Sequence, residues 1–117
     1  MHNFQELKIW QKAMDITVDV YKLSATFPKA EIYGLTSQIR RSAISIPSNI
    51  AEGAGRNTNG EFKNFLGIAS GSSNELLTQL ILSYRLDLVN TEKVKPIIES
   101  LTEVQKINYS LISKFSK

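Results

Sequence analysis

The stretch that decides the fold is Tyr33–Arg56, YGLTSQIRRSAISIPSNIAEGAGR, because it predicts one helix with two unlike faces. Apolar side chains recur there at steps of three and four residues, which places them on one side of a helix. Polar side chains recur at the same steps and form a second stripe beside the first. The apolar stripe consists of Ile39, Ala43, Ile46 and Ile50, and the polar stripe of Gln38, Arg41, Ser45, Asn49 and Glu52.

The composition of the polar stripe favours a packed contact over free exposure to solvent. Exposed helix faces carry long charged side chains, whereas this stripe is rich in serine, asparagine and glutamine. Short amides and hydroxyls suit hydrogen bonds to another element or another subunit, and Glu75 on the third helix is a candidate neighbour. An ordinary exposed face is the alternative, and the sequence leaves open whether a contact lies within or between subunits.

The predicted second helix begins near Leu35. Pro47 deletes one backbone donor and crowds the carbonyl of Ala43, which predicts a kink. The helix is expected to stop at Gly53, Gly55 and Asn57.

The first predicted helix runs from about Phe4 or Leu7 to Ala25, because the residue before Pro28 avoids helical dihedral angles. Its charged side is interpreted as a solvated face and not as a paired carboxylate site at Asp15 and Asp19. The solvated face consists of Lys8, Lys12, Asp15, Asp19 and Lys22, and the inner face of Trp10, Ala13 or Met14, Thr17, Val20 or Tyr21, and Ser24.

The third helix has the clearest start, a capping box at Thr58-x-x-Glu61, and is expected to run to about Leu88. Its middle, Gly67 and Ala69–Ser73, is unusually small. Glycines inside a helix cost about 1 kcal/mol each, so we expect another backbone to pack closely there. The fourth helix is predicted from Asn90–Thr91 to about Phe115.

Four amphipathic helices with short connections predict an all-α, up-down-up-down antiparallel four-helix bundle, a single domain over residues 1–117. Antiparallel packing gathers basic residues from all four helices at one end, which we name the basic end. Seven basic residues against three acidic ones leave about four positive charges there, in a chain of net charge +3. The basic residues are Lys22, Lys29, Arg40, Arg41, Arg85, Lys93 and Lys95, and the acidic ones Glu31, Asp87 and Glu92.

Composition argues against most catalytic chemistry. The chain has no cysteine, and its one histidine is His2, so we expect no metal, no cofactor and no catalytic residues. The turn Gly53–Arg56 lacks the remaining residues of a phosphate-binding loop and is interpreted as a plain connection between helices. No stretch is long and apolar enough for a membrane span, and no signal peptide is recognised, so a cytoplasmic location is expected.

Three segments of the chain carry a family resemblance, and a fourth segment in the third helix fits it. The chain resembles the four-helix-bundle family encoded in intervening sequences of bacterial 23S ribosomal RNA genes. The segments are Phe4-x-x-Leu7-x-x-Trp10; Phe27-Pro28-x-x-Glu31-x-Tyr33-Gly34-Leu35-x-x-Gln38-Ile39-Arg40-Arg41; Ser45-Ile46-Pro47-x-Asn49-Ile50-Ala51-Glu52-Gly53; and Glu61-Phe62-x-x-Phe65-Leu66-x-Ile68-Ala69-x-Gly71-Ser72-x-x-Glu75-Leu76.

This resemblance implies a bundle that assembles into a homo-oligomeric ring, with a pentamer as the expected form. It also implies kinship to the accessory variability determinant of diversity-generating retroelements, a basic pentamer that associates with reverse transcriptase and nucleic acid. It supplies no catalytic residues, and the molecular role of most members of the family is unknown.

The sequence therefore predicts a non-enzymatic homo-oligomer that binds RNA or DNA through its basic surface. No RNA-reading motif is recognised, and the aromatic residues are assigned to the core. The alternatives are a solvated basic surface with no ligand and a scaffold that docks a partner protein. The residues expected to contact nucleic acid are Arg40, Arg41, Arg56, Lys63 and Arg85.

Overall fold

The computed structural model describes residues 2–116, which form four α-helices and no strand. Each helix packs against its neighbours in chain order, and the first also packs against the fourth. The bundle is 44 Å along its longest axis, and the predicted four-helix bundle is confirmed. The helices are α1 (Lys8–Ser24), α2 (Leu35–Ala54), α3 (Asn59–Arg85) and α4 (Thr91–Phe115), with short 3-10 turns at Phe4–Glu6 and Lys29–Glu31.

The core contains the apolar stripe of α2 as predicted, since Ile39, Ala43, Ile46 and Ile50 are all buried. Burial of an isoleucine side chain contributes about 1.5–3 kcal/mol of hydrophobic free energy. The stripe packs against inward residues of the other helices, among them Phe62, Leu66, Leu76, Leu80, Val94, Leu101 and Val104.

The inner face of α1 differs from the prediction by about one position. Its buried apolar residues include Ile9 and Ile16, which the predicted stripe omitted, whereas Met14 and Tyr21 are exposed. Adjacent residues are only 100° apart around a helix, so α1 presents two overlapping stripes of mixed polarity. Contact with both α2 and α4 selects the stripe with larger aliphatic side chains.

A cross-helix hydrogen bond accompanies Pro47, through which α2 continues without interruption. Proline has no N–H, so the carbonyl of Ala43 lacks its usual partner four residues on. The hydroxyl of Thr17 on α1 lies 3.1 Å from that oxygen and 2.8 Å from the carbonyl oxygen of Ala13. The hydroxyl proton is shared between the two carbonyls, and α1 thereby supplies the donor that α2 lacks.

The predicted stop of α2 is confirmed at Gly55, which caps the helix, whereas Gly53 lies inside it. The helix continues to Ala54, and none of the glycines in residues 2–116 has a positive φ angle. A Cβ atom on Gly53 would lie 2.6 Å from the Cβ of Phe65 and 2.9 Å from the Cδ1 of Phe62. The glycine is needed because α3 approaches α2 too closely there for any side chain.

The start of α3 follows the predicted capping box. Thr58 Oγ1 accepts a hydrogen bond from the backbone N–H of Glu61 at 3.1 Å, while the Glu61 carboxylate accepts from the N–H of Asn57. The helix ends at Arg85, three residues before the predicted Leu88. Asp87 has a φ of 58°, and the N–H of Leu88 bonds to the carbonyl of Ser83, which is a Schellman ending.

One ion pair joins α1 to α4. The Lys12 ammonium donates a hydrogen bond to the Glu103 carboxylate. This bond and the positive charge of Lys12 hold the pKa of Glu103 below its ordinary value.

Candidate nucleic-acid interface

The polar stripe of α2 runs along the boundary with α3. Ser45 and Asn49 are half-buried, and the hydroxyls of Ser45 and Ser72 on α3 are hydrogen-bonded at 2.8 Å. Asn49 Nδ2 donates to the carbonyl oxygen of Ser45 at 2.7 Å and to its hydroxyl at 3.0 Å. These contacts lie within one subunit.

Ser42 is the residue of this contact that sequence reasoning missed. It is 1% exposed, and its hydroxyl donates to the carboxylate of Glu75 at 2.6 Å. The series Gln38, Ser42, Ser45, Asn49 steps by four, three and four residues, as good a helical spacing as the series through Arg41. The spacing alone does not distinguish the two series. The packing of α2 against its neighbouring helices buries Ser42 and leaves Arg41 exposed.

The other members of the stripe are exposed. Gln38 and Arg41 face solvent, and Glu52 forms an ion pair at 3.3 Å with Arg56, one turn further along the chain. The stripe therefore divides into a packed centre and two solvated ends.

The five residues predicted to contact nucleic acid do not form one patch. Arg40 and Arg41 lie near the start of α2, and Arg85 in the last turn of the antiparallel α3 lies at the same end. Arg56 and Lys63 lie at the opposite end, where α2 gives way to α3. Fourteen helical steps from Arg40 to Ala54, at the end of α2, separate the two groups by about 20 Å along the bundle.

The Arg40 side chain extends from α2 to α1 and contacts Ser24 and Tyr21 there. Its Nε donates to the hydroxyl of Ser24 at 2.8 Å, and its Nη2 lies 3.4 Å from the carbonyl oxygen of Tyr21. The guanidinium carbon also lies 4.6 Å from the centre of the Tyr21 ring. A stacked cation of this kind contributes roughly 0.5–2 kcal/mol.

An open cavity of about 430 Å³ adjoins Arg40 at the basic end. Its lining combines aromatic, aliphatic, hydroxyl and guanidinium groups and contains no carboxylate. A second cavity at this end differs, because Asp19 shares its wall with Lys22 and Lys93. The first cavity is lined by Tyr21, Ile32, Thr36, Ser37, Arg40, Arg41 and Ile44.

The assignment of all aromatic residues to the core is wrong. Tyr21, Tyr33 and Tyr109 are 39%, 94% and 74% exposed. Tyr33 directly follows Ile32 of the cavity wall, so two of the three exposed rings lie at or beside the basic end. The helical spacing on α1 left either Val20 or Tyr21 on the inner face, and the packing of the helices buries Val20.

Most of the basic side chains have no carboxylate partner. Across residues 2–116, two ion pairs form, Lys12 with Glu103 and Arg56 with Glu52. Arg56 also lies over the ring of Phe65, with its guanidinium carbon 4.8 Å from the ring centre. Arg41, Lys63 and Arg85 have no such pairing, so their charge is free to act on a ligand.

Residues 2–116 contain neither a cluster of metal ligands nor a helix suited to span a membrane. No group of three or more histidine, aspartate or glutamate side chains is placed to hold a metal ion. No helix in this range combines the length and apolar character needed to cross a membrane.

These observations define the class of protein: a small antiparallel four-helix bundle with an unneutralised basic end. More particularly, the chain belongs to the 23S rRNA-intervening sequence protein family, whose model matches residues 5–110. The family resemblance seen in the sequence is thereby confirmed.

A solved relative has the same fold. The chain is similar to a protein of unknown function from the S23 ribosomal protein family of Bacteroides thetaiotaomicron VPI-5482, known from its crystal structure. The two are 28% identical with a TM-score of 0.80, over 89% of this chain and 97% of the other. No curated protein matches the chain.

Proposed function

We propose that this protein is a non-enzymatic homo-oligomer, pentameric by resemblance to its family, that binds RNA or DNA through basic surface residues. The observation that carries the proposal is the set of basic side chains without carboxylate partners. Unpaired cations at a surface neutralise phosphates and release counterions, which is the main source of affinity for nucleic acid.

Self-association is supported by the outer face of α3. A side chain added at Gly67 or Gly71 would meet open space, so nothing within the described chain requires a glycine at either position. The exposed side chains of Ile68 and Leu82 lie on the same helix. A glycine inside a helix costs about 1 kcal/mol of stability relative to alanine. Close packing of a second subunit against Gly67 and Gly71 explains why glycine stands there.

The nucleic-acid proposal is tested by fluorescence anisotropy with a labelled RNA of about 20 nucleotides across a series of salt concentrations. We expect the logarithm of the association constant to fall linearly with the logarithm of the salt concentration, because each neutralised phosphate releases a counterion. A flat salt dependence, or no binding at low salt, contradicts the proposal.

A matched pair of double variants locates the contact. Arg41→Gln with Arg85→Gln removes two charges at the basic end, and Arg56→Gln with Lys63→Gln removes two at the opposite end. The first pair should reduce the salt slope by about two, since each lost phosphate contact changes it by about one. A larger loss from the second pair would place the interface at the other end.

A protein scaffold is the second candidate function, and a specific groove favours it. Between α1 and α2, next to the cavity at Arg40, a depression of about 340 Å³ has an almost wholly apolar wall. A partner that remains bound after nuclease treatment and in high salt would support this alternative. The groove is lined by Trp10, Met14, Thr17, Ile44, Pro47, Ser48 and Ala51.

A further inference from the structure

We propose that the cavity beside Arg40 receives an unstacked base of single-stranded nucleic acid. This inference rests on the proposed function and adds to it the class of nucleic acid and the place where a base binds. Proteins that hold single strands combine a positive groove with aromatic side chains on which bases stack. The cavity at the basic end contains both features.

The stacking wall is the pair formed by Arg40 and Tyr21. Because Ser24 and the Tyr21 carbonyl fix the guanidinium, the flat surface is in place before a ligand arrives. Bases stack on aromatic rings and on guanidinium planes alike. A wall that is already ordered loses little conformational entropy on binding, which favours affinity.

The remainder of the lining suits the other parts of a nucleotide. Ile32 and Ile44 offer apolar surface to a base, and the hydroxyls of Thr36 and Ser37 can donate or accept hydrogen bonds at its edge. Arg41 is exposed and has no ion-pair partner, so it is available to a phosphate.

Charge decides between a nucleic acid and a protein segment as the occupant. The lining contains two arginines and no carboxylate, and Tyr33 beside it exposes another ring to solvent. A purely apolar helix would leave Arg41 without an ion-pair partner and Arg40 with neutral partners only. A nucleotide can stack its base on the ring and place its phosphate near the cations. In a duplex the bases stay stacked on one another and cannot enter the cavity.

The test compares three labelled RNA probes of the same length by fluorescence anisotropy: a single strand, a perfect duplex and a single strand containing abasic positions. The abasic probe keeps every phosphate and loses the base, with both its stacking and its edge hydrogen bonds. We expect it to bind about 5- to 100-fold more weakly than the natural single strand, the range for stacking of one base. The duplex should likewise bind more weakly.

Two variants separate stacking from charge. Tyr21→Leu should weaken binding of the natural strand by about 5- to 100-fold and leave the affinity for the abasic probe unchanged. Arg41→Gln should weaken both probes equally, since it acts on phosphate. Tyr109→Leu, an exposed tyrosine toward the other end of the bundle, is the matched control and should change neither.

The outcomes are distinguishable from failure of the proposed function. Equal affinity for natural and abasic strands, or a preference for the duplex, overturns the inference and leaves phosphate-based binding intact. Absence of binding by all three probes contradicts both the inference and the proposed function.

Discussion

At the scale of single residues, two helical glycines of the chain lie in opposite surroundings. Gly53 is enclosed, because α3 passes so closely that a Cβ atom would overlap Phe65 and Phe62. Gly67 lies on the outer face of α3 with open space beside it. Both residues are helical, so their intrinsic helix propensities are the same and only their surroundings differ.

These surroundings predict opposite effects of alanine. Gly53→Ala should lower the free energy of unfolding by about 1–3 kcal/mol, the cost of overpacking a close helix contact. Gly67→Ala, the matched control, should raise the stability of the isolated subunit by up to about 1 kcal/mol, because alanine favours the helix. Urea denaturation at low protein concentration measures both, and equal effects of the two substitutions would contradict the prediction.

At the scale of elements, the contact between α1 and α2 depends on a missing donor. Pro47 leaves the carbonyl of Ala43 without its helical partner, and the hydroxyl of Thr17 supplies one across the interface. Ala43 is fully buried, so water does not replace that hydroxyl readily. The proline in α2 and the threonine in α1 are therefore coupled, although 30 positions separate them in the chain.

A double-mutant cycle tests this coupling. Thr17→Val alone should cost about 1–3 kcal/mol, because it leaves a buried carbonyl unsatisfied. In a Pro47→Ala background the same change should cost less, since alanine restores the N–H that bonds to Ala43. Urea denaturation of the four proteins gives the interaction energy, and additivity to within about 0.5 kcal/mol would contradict the coupling.

At the scale of the whole molecule, the proposed assembly and the basic end connect the fold to the proposed function. Exposed glycines on α3 make close contact with another subunit sterically feasible. A heterologous contact closes into a ring when its rotation divides a full turn, and otherwise it builds an open filament. A ring of like subunits repeats the basic end of each around its axis, which multiplies the positive charge presented to a polyanion.

Light scattering tests assembly directly. We expect a native mass of about five times the 13.1 kDa chain mass, as the family resemblance implies. Gly71→Gln, which adds a long side chain to the proposed contact, should lower that mass while the circular dichroism of the helices persists. Thr102→Gln on the exposed side of α4 serves as the control and should keep the mass. A monomeric wild-type protein would contradict the assembly.

Much of the architecture could be predicted from local patterns, because helix formation and amphipathicity depend on residues a few positions apart. The step of three and four residues in α2 predicted its buried face, and the Thr58 capping box predicted the start of α3. The ending of α3 was placed three residues too late, since Asp87 adopts the left-handed conformation that glycine usually supplies.

The candidate site was predictable only in part, for a related reason. Topology implied that Arg40, Arg41 and Arg85 share one end, because antiparallel neighbours bring those positions together. The orientation of each helix about its axis was not predictable from spacing. That orientation packs Ser42 and not Arg41, and it leaves the Tyr21 ring exposed. Adjacent residues differ by 100° around a helix, so the rotation of the helix about its axis decides which of them is buried.

By itself, the sequence determined an all-helical antiparallel bundle, its main core stripe and a surplus of positive charge, since these follow from spacing, capping and composition. Tertiary structure alone decided that Gly53 serves packing, that Thr17 satisfies the carbonyl freed by Pro47, and that Arg40 and Tyr21 form one wall of a cavity. Those contacts join residues 9 to 26 positions apart, and their geometry depends on how whole helices pack against one another.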